Sequence, residues 1–273
     1  MTFFEKSALT FALSGVVTAA ATPVVLITIT NISSPVVATA EDLEVQTLPI
    51  TLQPEPEVIS AELQLGTKNP PVVAKIETTP IVQKITGIPF TTQAPLGEWD
   101  DPRQKYGCEE ALLLIASNWI NSTTATPTQM RDQIIALADW QLDKYGDFHD
   151  TSVHDTARIL STYFKYNNFE IIEGAQISDL KTAIDEEKVV LLPVDGQQLK
   201  NPHFKPPGPV HHMIMVSGYD EGKKEFITME TGTTYGNSFR YSYDTIMAAF
   251  RDYPTGLNLE PLKRQQTALV ISK

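Results

Sequence analysis

From about Ile85 onward the apolar positions first recur at helical spacing and later run as strands. Residues 108–120 form an apolar helical stretch. Thr126-Pro127 opens a second helix to about Lys144, with Pro at its first position. Ser152-Val153-His154-Asp155 reads as a capping box before a helix to about Tyr166, and Ser178 as the cap of a short helix to about Glu187. Ile88-Pro89-Phe90-Thr91-Thr92-Gln93 is an extended lead-in to this half. The pattern then changes. Val189–Val194, His212–Tyr219 and Glu225–Glu230 are β-rich runs, a fourth strand lies near Phe239-Arg240-Tyr241, and Ala268–Ile271 closes the sheet. Helices first and an antiparallel sheet afterwards predict an α+β domain, its N-terminal helical part packed on the sheet.

The first 84 residues follow a different pattern. No charged residue lies between Lys6 and Glu41, and the stretch from Ala8 to Ile29 is largely apolar. Its length suits a signal peptide or a membrane anchor, and Ala38-Thr39-Ala40 has the small-x-small form of a cleavage site. Residues 1–40 are therefore expected to direct export, leaving the protein extracytoplasmic: secreted, or tethered to the membrane by that segment. Residues 41–84 carry Pro49, Pro54, Pro56, Pro70, Pro71 and Pro80 among acidic and polar residues and are expected to be a linker. Residues 85–273 are expected to form one domain.

Composition narrows the partners. Hydrophobic residues make up 42% of the chain, enough for a packed core, while 21 Lys+Arg against 33 Asp+Glu leave a net charge of −12. That balance argues against nucleic acid and anionic lipid surfaces, which require basic patches. A peptide or protein substrate and a monomeric state are expected, with the N-terminal segment as the membrane contact.

Cys108 is the single cysteine, so no internal disulfide and no cysteine-built metal site exists. It sits where a loop turns into a helix, and the helix's positive end there should lower the thiol pKa and favour attack. A thiolate needs a base, normally His. Centring the hairpin between Glu221 and Gly222 puts His212 opposite Glu230 on one face of the sheet, a carboxylate placed to orient the ring. His211 has the opposite strand parity and should face away. His149 and His154 flank a helix start and read as capping or surface groups, without carboxylate or thiol partners at metal-ligand spacing. For the oxyanion, the Cys108 backbone N–H is one donor, and the side-chain amide of Gln93 or Gln104 is the second. No metal or cofactor is expected.

Three runs together resemble a known group: Ile88–Pro95, Trp99-Asp100-Asp101-Pro102-Arg103-Gln104, and Gly107-Cys108-Glu109-Glu110-Ala111. With Pro206–Met213, Gly218-Tyr219-Asp220 and Phe226–Thr233, they look like the bacterial peptidase C39-like proteins of the papain-like cysteine peptidase superfamily. The resemblance covers roughly 86–255. It implies a papain-like fold and a cysteine peptidase in which Cys108 is the nucleophile, His212 the base and Gln93 the oxyanion amide. Glu230 stands where Asp is usual, and Met229 where Asn is usual. The implied activity is amide hydrolysis through a thioester. A binding module without turnover, and an amidase or transpeptidase acting on cell-wall peptides, are the rivals.

Overall fold

The computed structural model describes residues 81–260 and 265–273. The segment expected to direct export and most of the expected linker lie outside them. Among the described residues no helix is long and apolar enough to cross a membrane.

The helical half comes first. The four-residue helix α1 (Pro102–Lys105) starts at Asp101, whose carboxylate accepts the Arg103 N–H, and α2 (Cys108–Asn121) follows almost at once. α2 is buried at every position from Cys108 to Ala116, so it is the helix the core is built around. On one side it packs against α3 (Pro127–Tyr145), which begins with a capping box between Thr126 and Gln129. On the other it packs against the central strand of the sheet. α4 (Val153–Thr162) is capped by Ser152, as expected. α5 (Ile177–Asp185) is not capped by Ser178: Gln176 is the cap and Asp179 closes the box, so Ser178 already lies inside the helix.

The sheet is antiparallel throughout. Its strands β1 (Val82–Lys84), β2 (Phe169–Glu173), β3 (Val189–Val194), β4 (His212–Asp220), β5 (Glu225–Met229), β6 (Asn237–Ser242) and β7 (Thr267–Ile271) include all five expected runs. The spatial order is β2-β7-β3-β4-β5-β6, with β1 added on β4. Every residue of β3 and β7, and of β4 between them and β5, is buried, which suits their unbroken apolar runs. Two short elements completing the fold, α6 (Gly196–Leu199) and α7 (Tyr243–Ala249), have no strong sequence period.

The β4–β5 register corrects the expected one. Asp220 pairs with Glu225 at the turn, and Met215 with Met229 at the far end, so the ladder runs two residues beyond the register that would set His212 opposite Glu230. Between Val216 and Gly218 the ladder carries a bulge with Ser217 as the extra residue. Because side chains alternate faces, one extra residue exchanges them. Continued past Met229, the bulged register sets Glu230 beside Ile214, two residues from His212 on the same face. Without the bulge Glu230 would share a face with Met213 and Met215. The Ser217 hydroxyl donates to Ile227 O at 3.2 Å, and its carbonyl accepts the Ile85 N–H at 2.9 Å, so the bulge is held from both sides.

β1 falls in the stretch expected to be linker and pairs Val82 with Asp220 and Lys84 with Gly218. A chain beginning at residue 81 should therefore outlast one beginning at 88 in urea, because the shorter chain loses the β1 ladder and the Ile85 bond to the bulge. Equal urea midpoints would mean that β1 adds nothing to the domain.

Candidate active site

Two elements supply the chemistry. Cys108 opens α2, with its backbone N–H given to no protein acceptor among the described residues. His212 is the first residue of β4, and the next backbone N–H along, that of Met213, donates to the Cys108 sulfur. Both side chains line one cleft of about 860 Å³, with Gln93, Trp99, Phe204 and Tyr235 among its walls.

His212 Nε2 lies 2.5 Å from Glu230 Oε1, and both side chains are almost fully buried. A carboxylate taken out of water must have its lone pairs satisfied, and Glu230 has three donors. Besides His212, the Gly232 N–H reaches Oε1 at 2.9 Å, and the Tyr241 hydroxyl on β6 reaches Oε2 at 3.0 Å. Tyr241 in turn accepts from Asn201 at 2.7 Å. With Nε2–H directed at Glu230, neutral His212 carries its lone pair on Nδ1, the nitrogen that can accept a proton. Phe204 stands edge-on to the ring, with centroids 5.4 Å apart, and fixes its plane.

Two glycines let this arrangement close. A Cβ on Gly236 would sit 1.7 Å from Glu230 O, and one on Gly232 would sit 2.8 Å from Phe204, 3.1 Å from Glu230 Oε1 and 3.3 Å from the His212 ring. The backbone after β5 thus folds back on Glu230 more closely than any side chain allows.

Burial pulls the His212 pKa down, but the Glu230 charge and hydrogen bond, with Glu109 and Asp150 behind them, outweigh it and hold the imidazole above its ordinary range. The thiol behaves contrary to the expectation from its place at a helix start. Burial pushes Cys108 well up, and so does the neighbouring Glu109, whose Oε2 accepts the S–H at 2.9 Å; Asp150 adds to this, and the Met213 N–H opposes it. Desolvation and a carboxylate in contact exceed the modest pull of a helix terminus.

Gln93 is brought to the cleft, yet both its amide hydrogens are committed to Gln104 O at 3.0 Å and Lys105 O at 2.9 Å. Its Oε1 is buried without a partner among the described residues. Gln104 is fully buried and donates to Glu98 at 3.2 Å. In this geometry Gln93 gives both N–H groups to the turn that leads into Cys108, and Gln104, with one N–H on Glu98, is not among the cleft's lining residues.

His211 does not face away. It precedes the first residue of β4, so strand parity does not govern it, and it lines the same cleft. Its Nδ1 lies 3.2 Å from Asp150 Oδ2, and its ring stacks on Tyr253 at 4.4 Å. His149 bonds Asp147 at 2.6 Å and stacks on Phe148, and His154 is exposed, both as expected of peripheral groups. Among the described residues no group of three or more His, Cys, Asp or Glu stands together to hold a metal ion. Glu109, Asp150, Tyr241 and Tyr253 went unrecognised in the sequence. Two consecutive carboxylates, Glu109-Glu110, inside an otherwise apolar helical run were the available sign.

Because the folded imidazole titrates above its unfolded value, the His212–Glu230 pair contributes stability fully below about pH 6.5 and loses it as pH rises through the raised value. The urea midpoint should fall over that window, and Glu230→Gln should flatten the fall. Gly236→Ala should cost about 1–3 kcal/mol through overpacking against Glu230, read in the same titration. A Gly236→Ala protein as stable as the parent would show that the close approach is not required.

The family model described as the Peptidase_C39 like family matches residues 85–255, well over half of the chain. A crystal structure described as that of a C39-like peptidase from Bacillus anthracis is similar at 11% sequence identity and a TM-score of 0.43, covering 71% of this chain and 98% of that one. Such a score adds no weight of its own, and among curated proteins nothing matches. The helices packed on an antiparallel sheet, an α+β arrangement consistent with the papain-like fold, agree with the family match, and the chain belongs to the Peptidase_C39 like family.

Proposed function

We propose that the protein is a cysteine hydrolase, a peptidase that cleaves amide bonds with Cys108 as nucleophile, His212 as base and Glu230 as the group that orients and charges the base. The observation that carries this reading is the buried 2.5 Å His212–Glu230 pair, which leaves Nδ1 as the proton acceptor in the cleft that Cys108 also lines. In the proposed cycle the thiol proton passes to Nδ1, the sulfur attacks the amide carbonyl, and the imidazolium protonates the leaving amine. Water then hydrolyses the thioester. The Cys108 N–H, which meets no protein acceptor among the described residues, suits the oxyanion.

Export by residues 1–40 belongs to the same proposal and is supported by the apolar, uncharged run of that segment. A mature chain beginning at Glu41 outside the cell, or an intact chain in the membrane fraction, would agree with it, and an intact chain in the cytosol would contradict it.

A second reading has its own support. A buried thiol whose pKa is pushed up, beside a Gln93 amide committed elsewhere, suits a binding module that keeps the fold without turnover. Peptide cleavage by the intact chain separates the two. Under the hydrolase reading Cys108→Ala abolishes cleavage, and His212→Ala lowers it by about 10²–10⁴-fold. If cleavage survives Cys108→Ala, the nucleophile is misassigned. If the parent protein cleaves nothing across a broad peptide library and cell-wall peptides, the binding reading stands.

Gln93→Ala tests the amide separately. An oxyanion donor would cost about 10²–10³ in turnover with thiol reactivity unchanged. A brace would instead alter alkylation of Cys108, because the turn before it loosens.

A further inference from the structure

Glu109 plays no part in the mechanism proposed above, yet it touches the reacting sulfur. Its side chain is almost completely buried at the start of α2 and accepts two hydrogen bonds: from Cys108 Sγ at Oε2, 2.9 Å, and from the Tyr253 hydroxyl at Oε1, 2.7 Å. Two donors on two oxygens are the surroundings of a carboxylate rather than of a carboxylic acid. Tyr253 comes from the loop after α7 and is itself held by the His211 ring stacked on it at 10°. His211 is bonded to Asp150, which also accepts the Asn258 N–H at 2.7 Å. Asp150, His211 and Tyr253 thus form a chain of contacts that ends on Glu109.

A thiol has one hydrogen to donate. While it points to Glu109 it is not offered to His212, and ionising it sets a second negative charge beside a desolvated one. We propose that Glu109 is a latch on the nucleophile, holding Cys108 as a thiol in the resting protein, so that attack requires the S–H to swing from Glu109 Oε2 to His212 Nδ1. In that step the S–H bond breaks and the proton goes to Nδ1, giving thiolate and imidazolium. Glu109 neither gains nor loses a proton. The proposal rests on Cys108 and His212 acting as a nucleophile–base pair.

The groups facing Glu109 agree with this role. Cys108 and Glu110 share its helix, Tyr253 and Asp150 face it from two loops, and His212 acts on it from β4. Burial and Asp150 raise the Glu109 carboxyl above its ordinary range, and the Cys108 and Tyr253 bonds offset only part of that rise. Glu110 is turned aside to Gln141, so it does not compete for the thiol. A merely structural Glu109 would need Tyr253 but would have no consequence for the sulfur's ionisation.

The single cysteine makes the test unambiguous, since alkylation of the full chain by iodoacetamide reports Cys108 alone. Its rate against pH should rise with an apparent pKa above the free thiol's value of about 8.5. Glu109→Gln keeps the size, removes the charge and offers an N–H to the sulfur. It should lower that pKa by at least about one unit, hence raise alkylation at pH 7 about tenfold. Tyr253→Phe, which takes a donor from the carboxylate and leaves it more basic, should shift the profile the other way. If neither variant moves the profile, or Glu109→Gln raises the pKa, the latch is wrong. Should Glu109→Gln fail to fold, Tyr253→Phe decides alone. His212→Ala is the separate control. If it leaves the profile unchanged, the nucleophile–base reading fails, and a profile moved by Glu109→Gln then shows charge acting on a thiol with no catalytic partner, which also overturns the latch.

Discussion

A carboxylate with no exposure to water is tolerable only if every oxygen is met by a donor, and Glu230 imposes that requirement on the surrounding structure. Its three donors come from three places in the chain: the start of β4, the turn after β5, and β6. To bring them together the strand pair must carry the bulge at Ser217, or Glu230 would face the wrong side of the sheet. The backbone must also double back so closely that Gly232 and Gly236 admit no side chain. The imidazole of His212 is thereby fixed in tautomer and plane before any ligand arrives.

Around the sulfur the electrostatics oppose ionisation of the thiol. Glu109 and Asp150 surround Cys108 with negative charge in a site shielded from water. The same two carboxylates also raise the basicity of His212, so one acidic cluster strengthens the base while it restrains the thiol. Under the proposed reading the site rests as a neutral thiol beside a neutral imidazole of raised basicity. Access to the thiolate then depends on what displaces the contact with Glu109, rather than on the helix start.

Much of this was legible in the sequence, and the exceptions have physical causes. The apolar runs of β3, β4 and β7 were clear because buried strands need no alternation, and Cys108, His212 and Glu230 were recognisable as one constellation. The register was not, because a bulge and a four-residue turn leave no mark in apolar periodicity. β2 was overlooked because Glu170 and Glu173 break its alternation on an exposed sheet edge, and α7 because seven residues carry too little period. The cap position falls at Gln176 rather than Ser178 because the Asp179 carboxylate accepts the Gln176 N–H at 2.8 Å and the helix starts a residue before Ser178. The thiol was misjudged for a deeper reason. A helix terminus is visible locally, whereas burial and the partners Asp150 and Tyr253 arise only from the tertiary fold.

The whole site depends on a buried carboxylate that holds His212 in one tautomer and above its ordinary pKa. Nitrogen-detected imidazole NMR of the intact protein tests this directly, with His212 assigned by comparison with His212→Ala. The ring should be protonated at Nε2 across the neutral range, titrate at Nδ1 above about 6.5, and fall below that value in Glu230→Gln. A His212 that titrates at or below the ordinary value, or whose neutral form carries its proton on Nδ1, would contradict it.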